Sequence, residues 1–502
     1  MSNRMFFNGD RIFPFPPAEY SAGASHHPIE IESERQIPRI MNESSQIGYP
    51  TLGLFLYDWR EDLDRTEAAI GQNRHRFWRK IDPALDKNYD ELDSRDIDRL
   101  LELAAKEKPE ASEVTLWEDV TDSTQSQIVQ LGDTYALRMI SPGGDETGFD
   151  QGMTSLDRLP GLKQEIAAQI NHHPGARELQ SQKSGTIGQT WLLWGQLPGN
   201  HPQSIYVAKE CYTQLSPDRD WTANNIGQGR FFGASVYELW HPPTDWQNWE
   251  IENWHQIIFL FPPRQPIEAI QAKIDRLYPD LTHLFCYRHK ILRAYFDSRA
   301  MVKQLTADAI EIKRIEQQVF SGYKANAIDK QEAERVSIEL LELFSRYSQQ
   351  LSLFEYQAKL IDLNLINYTK RLEKIAQLDS ESQLDFLHKF ASIAAESYQL
   401  KLTAEYARFK LGLTPIENTI ATLRYLRERQ PEVPSEEPET QETIVPAIIA
   451  VGAGVAASNA ILVATALLST FGGGGALVGL SLSLPVGAGV GALVWQLFRS
   501  KF

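Results

Sequence analysis

The sequence predicts an α+β or α/β domain, then a long helical region forming a coiled coil or bundle, then a C-terminal hairpin of two transmembrane helices. Three observations predict this order: apolar runs typical of strands in the first half, a heptad repeat after them, and an uncharged segment near the end. At 502 residues the chain is too long for one hydrophobic core. The expected segments are a disordered stretch at 1–45, the sheet domain at 46–265, the helical region at 266–428, an acidic, Pro-rich linker at 429–443 and the hairpin at 444–498.

The first domain is predicted from short runs rich in aromatic and β-branched residues, which favour strands. These runs are 51–59, 133–140, 190–197, 204–212, 233–241 and 255–263. Two segments of helical periodicity, 161–173 and 266–278, lie between or after them. Strands mixed with helices indicate an α+β or α/β domain of about 200 residues.

The helical region contains a heptad repeat, in which apolar or aromatic residues alternate at spacings of four and three. Its members are Leu340, Phe344, Tyr347, Leu351, Phe354, Ala358, Ile361, Leu365, Tyr368, Leu372 and Ile375. Such a run predicts a coiled coil, through which we expect the protein to form a homo-oligomer. A long helix within a single bundle explains the same pattern and stays open as the alternative. The segment 321–329 is expected to break the preceding helix.

The C-terminal segment has no charged residue and no histidine between Thr443 and Phe498. Its two apolar runs, 444–470 and 476–498, each exceed the roughly 20 residues that cross a bilayer as a helix. The turn or pore candidates are Phe471, Gly472, Gly473, Gly474, Gly475 and Asn459. The pairs Gly475 with Gly479 and Gly487 with Gly491 have the spacing of close helix packing, although glycine is common in membrane helices anyway.

A hairpin places both of its ends on one side of the membrane, and Arg499 and Lys501 favour the cytoplasmic side. The N-terminus lacks the continuous apolar core of a signal peptide. We therefore expect a protein with two membrane crossings in the lipid bilayer, with its N-terminal domain and its C-terminus in the cytoplasm.

Composition and motifs exclude several functions. A net charge of −16 argues against nucleic acid as a partner. Two distant cysteines argue against a disulfide framework or structural zinc. Because no catalytic signature is present, the sequence predicts that the protein is not an enzyme and assigns no catalytic or metal-binding residue. The cofactor is left unassigned.

Three stretches are candidate binding sites. The basic, aromatic stretch 287–299 fits a solvated helix face or an anion site. The loop 141–148 fits an exposed turn or a site for a phosphate or a divalent cation. Four tryptophans, Trp240, Trp246, Trp249 and Trp254, fit a core or a stacking surface for a nucleobase or partner. The glycines of 227–233 narrowly miss the dinucleotide-binding spacing.

The order of a cytoplasmic α/β domain, long helices and two crossings near a basic C-terminus resembles CorA-type divalent-cation channels. That family carries a Gly-Met-Asn motif after the first crossing, and here Phe471 to Gly475 occupies its place. The layout also looks like that of bacterial conflict-system effectors, in which a sensor domain and helices precede a two-helix membrane element.

Three functions are compatible with this organisation. The first is an oligomeric CorA-like channel, pore or membrane effector, gated by its cytoplasmic domain. The second is a membrane-anchored sensor or scaffold without a pore, which receives a cytoplasmic protein or a small-molecule signal. The third is an enzyme within residues 50–265, which the absence of a catalytic motif disfavours.

Overall fold

A nine-stranded mixed sheet forms the first part of the fold. The computed structural model describes residues 46–61, 67–81, 113–121, 124–143, 152–170, 185–199, 203–221, 226–241, 254–325 and 328–429. The strands are β1 Gln46–Trp59, β2 Glu113–Val120, β3 Gln125–Leu131, β4 Thr134–Pro142, β5 Met153–Ser155, β6 Gly188–Gln196, β7 Ile226–Phe231, β8 Ala234–His241 and β9 Trp254–Phe261. Their order is β2-β3-β4-β1-β6-β9-β8-β7, with β5 paired to β1. Among these pairs only β6 and β9 run parallel.

Both faces of the sheet are covered because successive side chains of a strand point to opposite sides. In β1, Leu54 and Leu56 belong to one core, and Phe55 and Tyr57 belong to the other. The first core is completed by α1 Glu67–Ile81, α2 Leu159–Gln169 and α3 Ser204–Leu215. The second is completed by α4 Ile267–Lys324, a helix of 58 residues that continues past the sheet.

Beyond the sheet, α4 packs in a bundle with the helices that follow it. These helices are α5 Lys330–Ala376, α6 Asp385–Ile393, α7 Leu400–Lys410 and α8 Leu413–Arg429. A π-helical turn, Ala394–Gln399, joins α6 to α7. Helix α5 runs antiparallel to α4, since Arg346 Nη2 lies 2.7 Å from Asp308 and Arg371 Nη1 lies 2.6 Å from Asp280.

The heptad repeat forms a seam inside this bundle. Its members Leu340, Tyr347, Leu351, Phe354, Ile361, Tyr368, Leu372 and Ile375 are all buried within the chain. Tyr347 Oη, for example, donates to the carbonyl oxygen of Phe409 at 2.7 Å. The seam is therefore covered by the protein's own helices, as expected for a long helix within a single bundle. Homo-oligomerisation remains a prediction, but it would have to use a surface other than this seam.

The sheet and the bundle share one continuous core, which runs from β1 through α4 to α8. Hydrogen bonds reinforce it: Tyr57 Oη donates to the carbonyl oxygen of Thr282 at 2.8 Å, and Trp194 Nε1 donates to Tyr278 Oη at 2.9 Å. The first part of α4 is thereby held against the sheet.

One predicted strand, 204–212, is wrong. These residues form most of α3, and its buried residues, Val207, Ala208, Cys211, Tyr212 and Leu215, recur at helical spacing. The other five predicted strands overlap β1, β4, β6, β8 and β9. The break predicted at 321–329 falls between α4 and α5.

The fold class with a transmembrane hairpin requires correction. Within the described residues, no helix combines the length and the apolar character needed to span a bilayer. Helices α4 and α5 are long enough, but charged pairs such as Arg314 with Glu311 and Arg335 with Glu332 line their exposed faces. The predicted hairpin, with Asn459, Phe471, Gly472, Gly473, Gly474, Gly475, Gly479, Gly487 and Gly491, lies outside the described residues.

The predictions that depended on the hairpin are corrected with it. They are the channel, pore or membrane-effector function, the membrane-anchored scaffold, and the membrane location with cytoplasmic ends. What the structure describes is a sheet domain followed by long helices that carry charged surfaces.

Candidate functional site

Five buried polar side chains meet where the sheet packs against α4. Thr190, Glu238 and His255 come from β6, β8 and β9, and Arg288 and His289 come from α4. We call this group the Arg288 network. The three strand residues point to the same side because of the strand register: Trp191 pairs with Gln256, which places Thr190 beside His255, and Glu238 is two residues from Trp240, the partner of His255.

The Arg288 network is a chain of short polar contacts. Thr190 Oγ1 lies 2.8 Å from His255 Nδ1 and 2.8 Å from His289 Nε2. On its other side, His255 Nε2 lies 3.1 Å from Glu238 Oε1. The Nε atom of Arg288 donates to the same His255 nitrogen at 3.3 Å.

The guanidinium of Arg288 is also stacked between two aromatic rings. Its central carbon lies 4.6 Å from the centroid of Trp240 on β8 and 4.2 Å from that of Phe390 on α6. Its Nη2 lies 3.4 Å from Glu238 Oε1 but is not aligned for a hydrogen bond. Arg288 therefore joins two strands and two helices through one buried cation.

Burial controls the protonation of the network. It raises the pKa of Glu238, although the positive charge of Arg288 opposes that rise. Burial, assisted by Arg288, lowers the pKa of His255 well below its ordinary value. The pKa of His289 is lowered in the same way, with a further contribution from His255. The imidazoles of His255 and His289 are therefore neutral, and the carboxyl group of Glu238 is a weaker acid than an exposed glutamate.

The order Thr190, His255 and Glu238 has the connectivity of a nucleophile, base and orienting acid. Thr190 and His255 are both 0% exposed, however, and the sheet and α4 enclose them. A nucleophile acts only on a substrate that reaches its oxygen. This geometry therefore favours a structural network over a catalytic centre.

The opposite face of β9 carries a buried amide without partners. Gln256 is 0% exposed, and neither its amide oxygen nor its amide nitrogen has a hydrogen-bond partner in the described part of the chain. Its neighbours across the sheet are Trp191 on β6 and Leu239 on β8. Leaving such polar groups unpaired costs about 1–3 kcal/mol each.

Aromatic and basic side chains lie on the same side of the sheet as Gln256, and we call this region the Gln256 face. The ring centroids of Tyr212 and Trp254 are 5.2 Å apart, and those of Tyr212 and Trp221 are 5.6 Å apart. Lys163 Nζ lies 5.4 Å from the centroid of Trp191, and the guanidinium of Arg219 lies 5.4 Å from that of Trp254. Burial, and then the charge of Arg219, lowers the pKa of Lys163.

The structure distributes the predicted binding stretches among different environments. The stretch 287–299 is mostly buried rather than solvated, and its cations pair with carboxylates: Lys290 with Asp133, Arg293 with Asp297 and Arg299 with Glu405. The glycines of 227–233 lie in and after β7, and Gly227 and Gly229 face Phe386.

The four tryptophans do not form one described cluster. Trp240 stacks on Arg288 on one face of the sheet, and Trp254 belongs to the core on the other. Trp246, Trp249 and residues 144–148 of the predicted loop site lie outside the described residues, as do all the pore and helix-packing candidates.

The sequence analysis includes Arg288 and His289 in the stretch 287–299 and names Trp254, but it misses the strand residues Thr190, Glu238, His255 and Gln256. A signal was present, since Gln256 and His255 interrupt the otherwise apolar strand WHQIIFLF, and Glu238 interrupts ASVYELWH. A polar residue in a strand buried on both faces needs a partner. The identity of that partner depends on neighbouring strands, which only the fold brings together.

Metal binding and thiol chemistry receive no support from the described residues. No group of three His, Cys, Asp or Glu side chains there is placed to hold a metal ion. Cys211 and Cys286 are free and buried, and burial raises the pKa of both thiols, that of Cys286 to about 11. Such thiols are poor nucleophiles.

Comparison with protein-family models, with curated proteins and with solved structures finds no match in any of the three.

Proposed function

We propose that this protein is a non-enzymatic small-molecule-binding protein, whose ligand enters the closed Gln256 face when α2 and α3 move away from the sheet. The observation that carries the proposal is the fully buried Gln256 amide, with two unsatisfied polar groups beside aromatic rings. A bound ligand that pairs with this amide would offset the cost of burying it.

The chemistry of the face favours a planar ring with an anionic substituent. A glutamine amide presents a donor beside an acceptor, which matches the hydrogen-bonding edge of an adenine-type ring. Trp191 and Trp254 offer faces on which such a ring stacks. Lys163 and Arg219, which raise the local positive potential, favour an anion such as a phosphate.

Two potential nucleophiles in the described part of this face are deactivated by burial, which supports binding without catalysis. Burial raises the pKa of the Cys211 thiol and that of the Tyr212 phenol, both on α3. The Thr190–His255 pair, which has the connectivity of a catalytic relay, lies on the other face of the sheet. A ligand held at Gln256 would therefore meet no activated thiol or phenol on α3.

The test uses the full chain and three probes: AMP, adenosine and inorganic phosphate. AMP is expected to quench tryptophan fluorescence and to bind with one-to-one stoichiometry by calorimetry. Adenosine is expected to bind about tenfold more weakly, since it lacks the anionic group. Inorganic phosphate alone is expected not to bind, and AMP is expected to be recovered chemically unchanged.

The variant Gln256→Leu separates binding from stability. It should weaken AMP binding at least tenfold, the scale of one bidentate contact. Its free energy of unfolding without AMP should stay level or rise, because an unpaired amide is removed. Gln357→Leu, at a buried glutamine of α5, is the matched control and should bind AMP normally. Lack of AMP binding by the wild type, or equal binding by Gln256→Leu, would overturn the proposal.

A further inference from the structure

The Arg288 network contains two contacts that compete for one nitrogen atom. His255 Nε2 faces Arg288 Nε at 3.3 Å and Glu238 Oε1 at 3.1 Å. An arginine Nε–H only donates, so this contact is a hydrogen bond only if His255 Nε2 is an unprotonated acceptor. An ionised carboxylate facing that acceptor would place two lone pairs against each other.

A proton on Glu238 makes both contacts favourable. The carboxyl O–H and Arg288 Nε–H then both donate to His255 Nε2 and share its single lone pair as a three-centre hydrogen bond. His255 carries its own proton on Nδ1 and donates to Thr190 Oγ1, and the Thr190 hydroxyl donates to His289 Nε2. Each polar hydrogen that links Glu238, His255, Thr190 and His289 then has an acceptor, whereas Nη1 and Nη2 of Arg288 have no hydrogen-bond partner among the described residues and face aromatic rings instead.

We infer that Glu238 binds a proton in the folded protein and that this proton acts as a switch: with it, the Arg288 network holds the sheet against the helices, and without it this junction loosens. The switch consists of the Arg288 network and holds Arg288 against Trp240 and Phe390. This role is separate from ligand binding on the Gln256 face, since the two groups lie on opposite faces of β9.

Loss of the proton has a defined consequence along the chain. When Glu238 releases its proton to solvent, its carboxylate needs a donor, and His255 supplies one by carrying its proton on Nε2 instead of Nδ1. The Thr190 hydroxyl then donates to His255 Nδ1, and His289 carries its own proton on Nε2 instead of Nδ1 and donates it to Thr190, so that the network as a whole loses one proton. Arg288 Nε loses its acceptor, because His255 Nε2 now bears hydrogen.

The groups that face Glu238 come from four elements. Arg288 on α4 and Lys389 on α6 supply positive charge, which favours the carboxylate. His255 on β9 is neutral, and Tyr368 on α5 is a buried phenol whose pKa is raised. Burial outweighs the two cations and raises the pKa of Glu238.

The direction of the pH response follows from this raised pKa. Protonated Glu238 contributes stability that is fully present below the pKa of an exposed glutamate and is lost as the pH rises through the folded pKa. The histidines have the opposite sign: their lowered pKa values cost stability as the pH falls below the ordinary histidine value. A rise in pH therefore weakens the contact between the sheet and the helices through Glu238 and not through the histidines.

Infrared spectroscopy tests the proton directly. At neutral pH the wild type should show the carbonyl stretch of a protonated carboxylic acid, and Glu238→Gln should lose it. Asp280→Asn is the matched control, because Asp280 is a buried carboxylate paired with Arg371 at 2.6 Å and Lys374 at 3.2 Å. This control should lose no acid band. A wild-type spectrum without the Glu238 band would overturn the inference.

Hydrogen exchange tests the switch. In the wild type, the opening equilibrium measured at β8, β9 and α6 should rise about tenfold per pH unit between the pKa of an exposed glutamate and the raised pKa of folded Glu238, since opening in this range releases one proton. The same equilibrium in Glu238→Gln should not depend on pH. If that variant does not fold, ¹⁵N spectra of histidine in the wild type decide: a proton on His255 Nε2 at neutral pH would overturn the inference, and one on Nδ1 would support it.

Discussion

Arg288 is a charged residue that the fold keeps 1% exposed. Its guanidinium is stabilised by two aromatic faces, by His255 and by the nearby carboxyl group of Glu238. Burying a cation is costly, and that cost is offset only while all of these partners stay in place. The residue therefore makes the junction between sheet and helices sensitive to single substitutions.

Replacing Arg288 by Met should lower the free energy of unfolding by about 1–3 kcal/mol, because His255 Nε2 loses a buried donor and the rings of Trp240 and Phe390 lose the cation between them. The double variant with Glu238→Gln should show nearly the same loss, since Glu238 is already uncharged. Denaturant titration measures both. Arg314→Met, which removes an exposed arginine paired with Glu311, is the control and should leave the unfolding midpoint unchanged. Equal effects of both single substitutions would contradict this reading of the junction.

At the scale of elements, the loop between α5 and α6 extends the edge of the sheet. Strand β7 is an edge strand, and Arg230 exchanges two backbone hydrogen bonds with Gln383, at 3.0 and 2.8 Å. Gly229 allows this approach, because a side chain there would overlap the carbonyl oxygen of Gln383 and the ring of Phe386. The helical region thus covers an edge that would otherwise present unpaired backbone groups.

Gly229→Ala should destabilise the protein by about 1–3 kcal/mol, since the added methyl group forces β7 away from Gln383. Gly71→Ala is the matched control: nothing lies near its missing side chain, and alanine is the better helix former. That substitution in α1 should stabilise the protein by about 0.5–1 kcal/mol. Thermal unfolding measures both, and a neutral Gly229→Ala would argue against the β7–Gln383 pairing.

At the scale of the whole molecule, the core on the α4 side of the sheet continues into the bundle without interruption. It includes Phe55 and Leu192 of the sheet, Leu284 of α4, and Tyr368 and Leu423 of the bundle. Since the two regions share buried apolar surface, neither can lose its packing alone without exposing the other. We expect the sheet and the bundle to unfold as one unit.

Two signals separate the regions experimentally. Ten of the eleven tryptophans lie between residues 59 and 254, so tryptophan fluorescence reports on the sheet domain. Far-ultraviolet circular dichroism reports mainly on the long helices. The two denaturation curves should coincide, as cooperative unfolding requires. Helical signal that survives the fluorescence transition would show that the bundle is stable on its own.

Phe390→Ala, which removes a ring stacked on Arg288, should begin to separate the fluorescence curve from the circular-dichroism curve.

Five of the nine described strands were predictable, because alternation and β-branched residues act locally, whereas β2, β3, β5 and β7 were missed. The run 204–212 was not, since its apolar residues satisfy both a strand and a helical pattern, and its packing against β9 as a helix decided between them. The heptad of α5 predicted which residues are buried, but it did not distinguish a partner chain from the α4 and α7 helices of the same chain.

The candidate site was much less predictable than the fold. Thr190 and His289 are 99 positions apart, and Glu238 and His255 are 17 apart, yet all four belong to one hydrogen-bonded chain. Local patterns could mark each as a polar residue in an apolar setting. They could not show which partners the strand order β6-β9-β8 would supply.

By itself, the sequence determined the positions of most strands and long helices and the buried seam of α5, because periodicity and propensity act over a few residues. Tertiary structure alone decided that this seam closes within the chain, that α3 is a helix, and that Arg288 and Gln256 are buried on opposite faces of one sheet. Those outcomes depend on contacts between residues far apart in sequence, whose free energies no local pattern contains.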